Sequence, residues 1–94
     1  MRVKVRYFAS LRDLLGVREE EYEVEGEPTV RELILEYVLK RHENVAGAVF
    51  EKLEGLLRGE EAGYMIIVNG DRADPARKLR SGDVVAILPP VGGG

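Results

Sequence analysis

Val84-Val85-Ala86-Ile87-Leu88, running straight into Pro89-Pro90-Val91-Gly92-Gly93-Gly94, is the stretch from which the rest of the chain can be read. The five apolar residues predict a strand, with Val85 and Ile87 on one face and Ala86 and Leu88 on the other. Neither proline can donate to a sheet ladder, and each fixes φ near the polyproline value. The strand is therefore expected to stop at Leu88, and the chain to leave the sheet stiffly extended. Gly92, Gly93 and Gly94 then lack any Cβ, and such slim backbone can enter a channel too narrow for other residues. With Gly94 last, the most accessible group is an unhindered α-carboxylate, a poor acyl donor until another protein activates it. Glycine-rich ends are more often frayed linkers without a role. The order here, strand, paired prolines and then glycine, weighs against that reading. The expected division is a domain over residues 1–88 and a flexible tail over residues 89–94.

Working outward, 94 residues make one domain with a single modest core. The net charge of −3 does not favour nucleic acid as a partner. No apolar run is long enough to span a bilayer and no signal-peptide pattern opens the chain, so no membrane association and a cytoplasmic location are expected. The absence of cysteine excludes a disulfide scaffold, a cysteine nucleophile, a thiolate metal site and a side-chain persulfide. His42 is the single histidine, so neither a histidine metal cluster nor a Ser-His triad can be assembled. No metal ligands are assigned, and a self-sufficient hydrolase is not expected.

Residues 2–8 alternate: Val3, Val5 and Tyr7 face one way, Arg2, Lys4 and Arg6 the other. Parity puts Phe8 on the charged outer face. Two readings fit: the strand ends and Phe8 turns inward, or Phe8 is an exposed aromatic on a partner-binding surface. Ser10, with Asp13 three residues on, is expected to cap a short helix carrying Leu11, Leu14 and Leu15 and ending at Gly16. Arg12 then points outward, as a solvated charge or a partner contact. Residues 18–25 alternate again, with Glu19, Glu21, Glu23 and Glu25 opposite Tyr22 and Val24. Paired antiparallel to the first strand, this acidic row would lie beside Arg2, Lys4 and Arg6 and be structural. Thr29-x-x-Glu32 is a capping box for the main helix, whose stripe is Val30, Leu33, Ile34, Tyr37 and Val38. His42, near its end, reads as a surface or capping histidine. Val49, Phe50, Leu53, Leu56 and Leu57 predict a short second helix interrupted by Gly47, Gly55, Gly59 and Gly63. Tyr64-Met65-Ile66-Ile67-Val68 reads as a central strand, Asn69-Gly70 as a tight turn and Asp71-Arg72-Ala73 as a brief strand. Leu79 tucks inward, and Ser81-Gly82-Asp83 turns the chain into the last strand. The result is an α+β arrangement with helices on one face of a mixed sheet, its first and last strands neighbours at the centre.

A set of islands gives these elements a family likeness. They are residues 5–16 (VRYFASLRDLLG), Pro28-Thr29-Val30 with Leu33, Val68-Asn69-Gly70, Leu79, Gly82-Asp83-Val84-Val85-Ala86, Pro89-Pro90-Val91 and Gly93-Gly94. On them the chain resembles the MoaD/ThiS sulfur-carrier family, and within it the MoaD type, the small subunit of molybdopterin synthase. The resemblance implies a ubiquitin-like β-grasp fold. It implies that a MoeB-type, E1-like adenylyltransferase uses ATP and magnesium to adenylate Gly94, and that a sulfur donor converts the adenylate to a thiocarboxylate. The carrier itself binds no cofactor. The tail, with Gly92 and Gly93 giving reach, would thread into a MoaE-type large subunit and deliver sulfur to a pyranopterin, building the dithiolene of molybdopterin. Catalytic side chains belong to the partner. The implied partner surface is an apolar patch on the open face of the sheet, mapping to Phe8 and Leu88, with Arg12 and the tail residues Pro89, Pro90 and Val91 beside it.

Three departures stand out. A position after the Asn-Gly turn that is often apolar in the family is here Arg72 or its neighbour, Gly92 replaces a side-chain-bearing residue, and residues 40–63 are longer than in compact members. Two alternative functions share the tail chemistry: a protein modifier whose activated glycine forms isopeptide bonds with lysines, as in archaeal ubiquitin-like small modifiers, and a carrier for thiazole synthesis or tRNA thiolation. By resemblance, Pro89-Pro90-Val91 favours the MoaD type over the ThiS type.

Overall fold

Alternation in the first strand sets the layers. β1 (Arg2–Tyr7) buries Val3, Val5 and Tyr7 and turns Arg2, Lys4 and Arg6 to the opposite face, in a computed structural model that describes residues 1–60 and 63–90. β2 (Glu19–Glu23) pairs antiparallel with it, setting Arg2 opposite Glu23, Lys4 opposite Glu21 and Arg6 opposite Glu19. On its other side β1 pairs parallel with β5 (Val84–Leu88), whose Val85 and Ile87 are fully buried. β3 (Met65–Val68) lies antiparallel to β5 and to the short β4 (Asp71–Ala73), giving the order β2-β1-β5-β3-β4. The first and last strands are thus neighbours, and β5 occupies the middle of the sheet.

A parallel β1–β5 pair needs a long crossover, and the helices supply it on one face. The main helix begins as expected: Glu32 donates its backbone N–H to Thr29 Oγ1 at 3.1 Å, and Thr29 donates its own to Glu32 Oε1 at 2.9 Å. It continues as a turn of α-helix (Val30–Glu32), a π-helical stretch (Leu33–Val38) and a last α-turn (Leu39–Arg41). Val30, Leu33, Ile34 and Val38 are buried in one core with the inner face of the sheet. Tyr37 keeps its hydroxyl at the rim, where it accepts the Glu25 N–H at 3.1 Å. This five-stranded mixed sheet wrapped on a helix is a ubiquitin-like β-grasp.

Three local expectations are corrected. The first helix (Ala9–Leu15) has Phe8, not Ser10, at its N-cap position, with no side-chain cap. Ala9 opens it at φ +52, a left-handed conformation that costs an alanine about 1 kcal/mol. Ser10 is thereby inside the first turn, its hydroxyl 3.0 Å from that of Tyr64. The last helix (Ala46–Leu57) runs through Gly47 and Gly55. It ends beside Gly59 at φ +83. It buries Val49, Leu53, Leu56 and Leu57 but leaves Phe50 at 41% exposure, so Phe50 is outside the core. Arg31 donates to the Leu57 carbonyl and ties this helix end to the main helix.

Asn69-Gly70 forms the tight turn, with φ +51 and +89. Asn69 donates its backbone N–H to the Val84 carbonyl at 2.9 Å and accepts the Val84 N–H on its side-chain oxygen at 2.8 Å. Its amide also donates to Asp83 at 2.8 Å, and Asp83 accepts the Arg80 N–H at 2.8 Å. The start of β5 is thus clamped by one turn residue and one buried carboxylate.

Candidate functional site

Side chains opposite the core define the open face of the sheet, and its two halves differ in chemistry. Over β2 and β1 it is a ladder of ion pairs: Arg2–Glu23 at 3.0 Å, Lys4–Glu19 at 3.4 Å and Arg6–Glu19 at 3.3 Å. Exposed pairs of this kind contribute about 0.2–1 kcal/mol each. The acidic row lies beside Arg2, Lys4 and Arg6, as expected of the antiparallel pair. Over β5 and β3 the same face is apolar. Val84, Ala86 and Leu88 alternate with the buried Val85 and Ile87, and Met65 and Ile67 alternate with the buried Ile66 and Val68. Met65 stands opposite Leu88, and Ile67 opposite Ala86.

Phe8 joins this half. Its backbone is extended, with φ −133 and ψ 154, so the alternation of β1 carries one residue past the strand. Its side chain is half-buried and is not among the residues packed on the core. Phe8 follows neither reading in full: it does not turn into the core, yet its side chain is half-buried rather than exposed. Leu88 ends β5 on the same face, likewise half-buried and outside the core. Pro89 and Pro90 follow, half-buried and outside any strand. Arg12 lies one turn after Phe8, donating its backbone N–H to the Phe8 carbonyl at 3.3 Å, with its side chain half-exposed. Phe8, Leu88 and the start of the tail thus meet at one end of the apolar half. Val91, Gly92, Gly93 and Gly94 lie outside the described residues.

A second constellation sits under the other edge of the sheet, and sequence reasoning missed it. Glu20 is on the inner parity of β2. Its carboxylate accepts the Tyr7 and Tyr22 hydroxyls, each at 2.8 Å, and the His42 ring nitrogen at 2.8 and 2.9 Å. Arg41 stands 3.6 Å from the same carboxylate and lies over the Tyr22 ring at 3.8 Å. Burial opposes the charge on Glu20, but hydrogen bonds from His42, Tyr22 and Tyr7 outweigh it and hold the carboxyl below its ordinary range. Burial pushes both phenols well above theirs, reinforced at Tyr7 by the Tyr22 hydroxyl and at Tyr22 by the Glu20 carboxylate, so they remain donors. His42, expected at the surface, is instead the half-buried tie between the main helix and β2. The signal was present: Glu20 breaks the apolar parity of its strand, and an inward carboxylate requires partners. Among the described residues no group of three His, Asp or Glu side chains is placed to hold a metal ion.

The open face is apolar beside the end of β5, and comparison with known proteins gives it a context. The ThiS family model matches residues 5–94. The chain is similar to the molybdopterin synthase sulfur carrier subunit of Chlamydomonas reinhardtii, 30% identical with all of both chains covered. Among solved structures it is similar to subunit 1 of a molybdopterin converting factor from Pyrococcus furiosus, 40% identical at a TM-score of 0.69 and covering 97% of this chain and 99% of that one. It is also similar to SAMP1 of Haloferax volcanii, a small archaeal modifier protein, 26% identical at a TM-score of 0.77 with both chains fully covered. A β-grasp whose central strand feeds a proline-glycine tail beside an apolar open face, matched along almost its whole length, belongs to the ThiS/MoaD family of ubiquitin-like sulfur-carrier proteins.

Proposed function

We propose that this chain is the sulfur-carrying small subunit of molybdopterin synthase. The observation that carries the reading is the exit of β5: the central strand ends at Leu88 on the rim of the apolar open face, so a partner covering Phe8 and Leu88 also receives the residues that follow. Supporting it, the family match runs through residue 94, and the two relatives above that are 30% or more identical are named as subunits of molybdopterin-forming assemblies.

In this reading the Gly94 carboxylate attacks the α-phosphorus of ATP in a MoeB-type enzyme, with magnesium, and pyrophosphate leaves. The product is a mixed anhydride. A sulfide-level sulfur donor attacks its acyl carbon and AMP departs, leaving a thiocarboxylate. The tail then enters a MoaE-type large subunit, where the sulfur bonds to a pyranopterin carbon, water cleaves the acyl–sulfur bond and the carboxylate is regenerated. Gly92 and Gly93 supply reach, Pro89, Pro90 and Val91 stiffness, and Phe8, Leu88 and Arg12 the docking surface. The carrier's own side chains do no bond chemistry.

The test is reconstitution. Thiocarboxylated chain, the large subunit from the same genome and the cyclic pyranopterin precursor are expected to yield molybdopterin. Precursor left unconverted, with a thiocarboxylate confirmed at the start, contradicts the proposal. One observation favours a second reading, protein modification: the likeness to SAMP1 at a TM-score of 0.77. Branched peptides on target lysines in the native host would support that use of the same tail.

A further inference from the structure

One row across the open face is read directly from the registers. Glu19 pairs with Arg6, Arg6 with Ala86, Ala86 with Ile67 and Ile67 with Arg72. Directly opposed residues share a face, so Arg72 stands with Ile67 and Ala86 on the open side. The row therefore runs from acid to base to apolar to base. Its two cations differ. Arg6 is held by Glu19 at 3.3 Å, whereas exposed Arg72 joins none of the ion pairs among the described residues. On a chain of net charge −3, the far rim of the apolar half carries an exposed guanidinium with no ion pair among the described residues.

That charge constrains what can dock. Strands lie about 4.8 Å apart, so the Arg72 backbone is roughly 10 Å from Ala86, within the reach of any surface covering Ile67 and Met65. An apolar partner would strip water from the guanidinium and return nothing, which disfavours binding. A carboxylate at that point restores the lost hydrogen bonds, and its planar geometry suits a bidentate contact. From the registers and an exposed charge that pairs with no described residue we infer that Arg72 is a specificity-determining contact, reading an Asp or Glu on the rim of the large subunit's docking surface. The inference rests on the molybdopterin synthase reading above.

The experiment measures binding of the full-length chain to the large subunit from the same genome at low and high ionic strength, for the unmodified chain, Arg72→Glu and Arg72→Leu. Thermal unfolding of each variant checks that the exposed site leaves the fold intact. Unmodified chain is expected to bind more weakly as salt rises; Arg72→Leu is expected to lose much of that dependence. Arg72→Glu is expected to bind at least about tenfold more weakly at low salt, and replacement of one rim carboxylate of the large subunit by lysine to restore it. If Arg72→Glu binds as well as the unmodified chain, the inference fails and the functional reading stands. If it impairs only thiocarboxylation by the activating enzyme, the contact belongs to that enzyme and the inference also fails. If unmodified chain does not bind the large subunit at any salt, the functional reading falls and takes the inference with it.

Discussion

Phe8 and Glu20 show how far one side chain's position decides its work. Phe8 is outward because an extended backbone keeps the parity of β1 for one more residue before Ala9 turns it at φ +52. Phe8→Glu is expected to weaken binding of the large subunit by about tenfold while thermal unfolding stays close to unmodified. A collapse of stability instead would make Phe8 a core residue. Glu20 works in the opposite sense, inside the fold. Its folded pKa lies below the ordinary 4.5. The stability it contributes is therefore present above that value and lost as pH falls through the folded pKa. Glu20→Gln is expected to lower stability by roughly 1–3 kcal/mol at neutral pH and to flatten the fall below pH about 4.5. Urea unfolding over a pH series checks this; parallel curves for the two proteins would show that Glu20 is not the titrating tie.

At the scale of elements, the Asn69-Gly70 turn sets where β5 begins, and hence which residue of β5 meets the tail. Asn69→Ala is expected to lose about 2 kcal/mol or more, combining a left-handed alanine with the loss of two side-chain hydrogen bonds. Asn69→Gly removes the same bonds without the backbone strain and is expected to lose less; equal losses in chemical denaturation would mean the strain is absent. The elements were legible wherever one rule governed them. Period two marked β1, a continuous apolar run closed by two prolines marked β5, the capping box marked the main helix, and the Asn-Gly pair marked the β3–β4 turn. Sequence failed where tertiary contacts decide. Ser10 looked like a cap because its hydroxyl can accept, but Phe8 in the extended conformation leads the chain in and Tyr64 takes the hydroxyl. Phe50 kept helical spacing, yet it is exposed while its neighbours Val49 and Leu53 are buried. Which of Arg72 and its neighbours shares the open face could not be read until the pairing with Ile67 was known.

For the molecule as a whole, the sheet separates labour between its faces. One face builds a single core around the main helix, and the other carries a charged half and an apolar half that remains available. None of the helices among the described residues is long and apolar enough to cross a membrane. The apolar half and the end of β5 adjoin, so in the proposed function one partner surface covers both. The sequence alone marked one end of this arrangement, Phe8 and Leu88. Met65 and Ile67, on the far side of β5, needed the strand order, which no local pattern encodes.

The central claim is that the fold presents Gly94 for charging by another enzyme. Intact-mass spectrometry of the full-length chain, after incubation with the MoeB-type enzyme, ATP, magnesium and a sulfur donor, tests it most directly. Replacement of one oxygen by sulfur, localised to Gly94, is expected, and none in a chain extended by one alanine that unfolds at the same temperature. An unmodified mass for the native chain, or equal sulfur incorporation in the extended one, would contradict it.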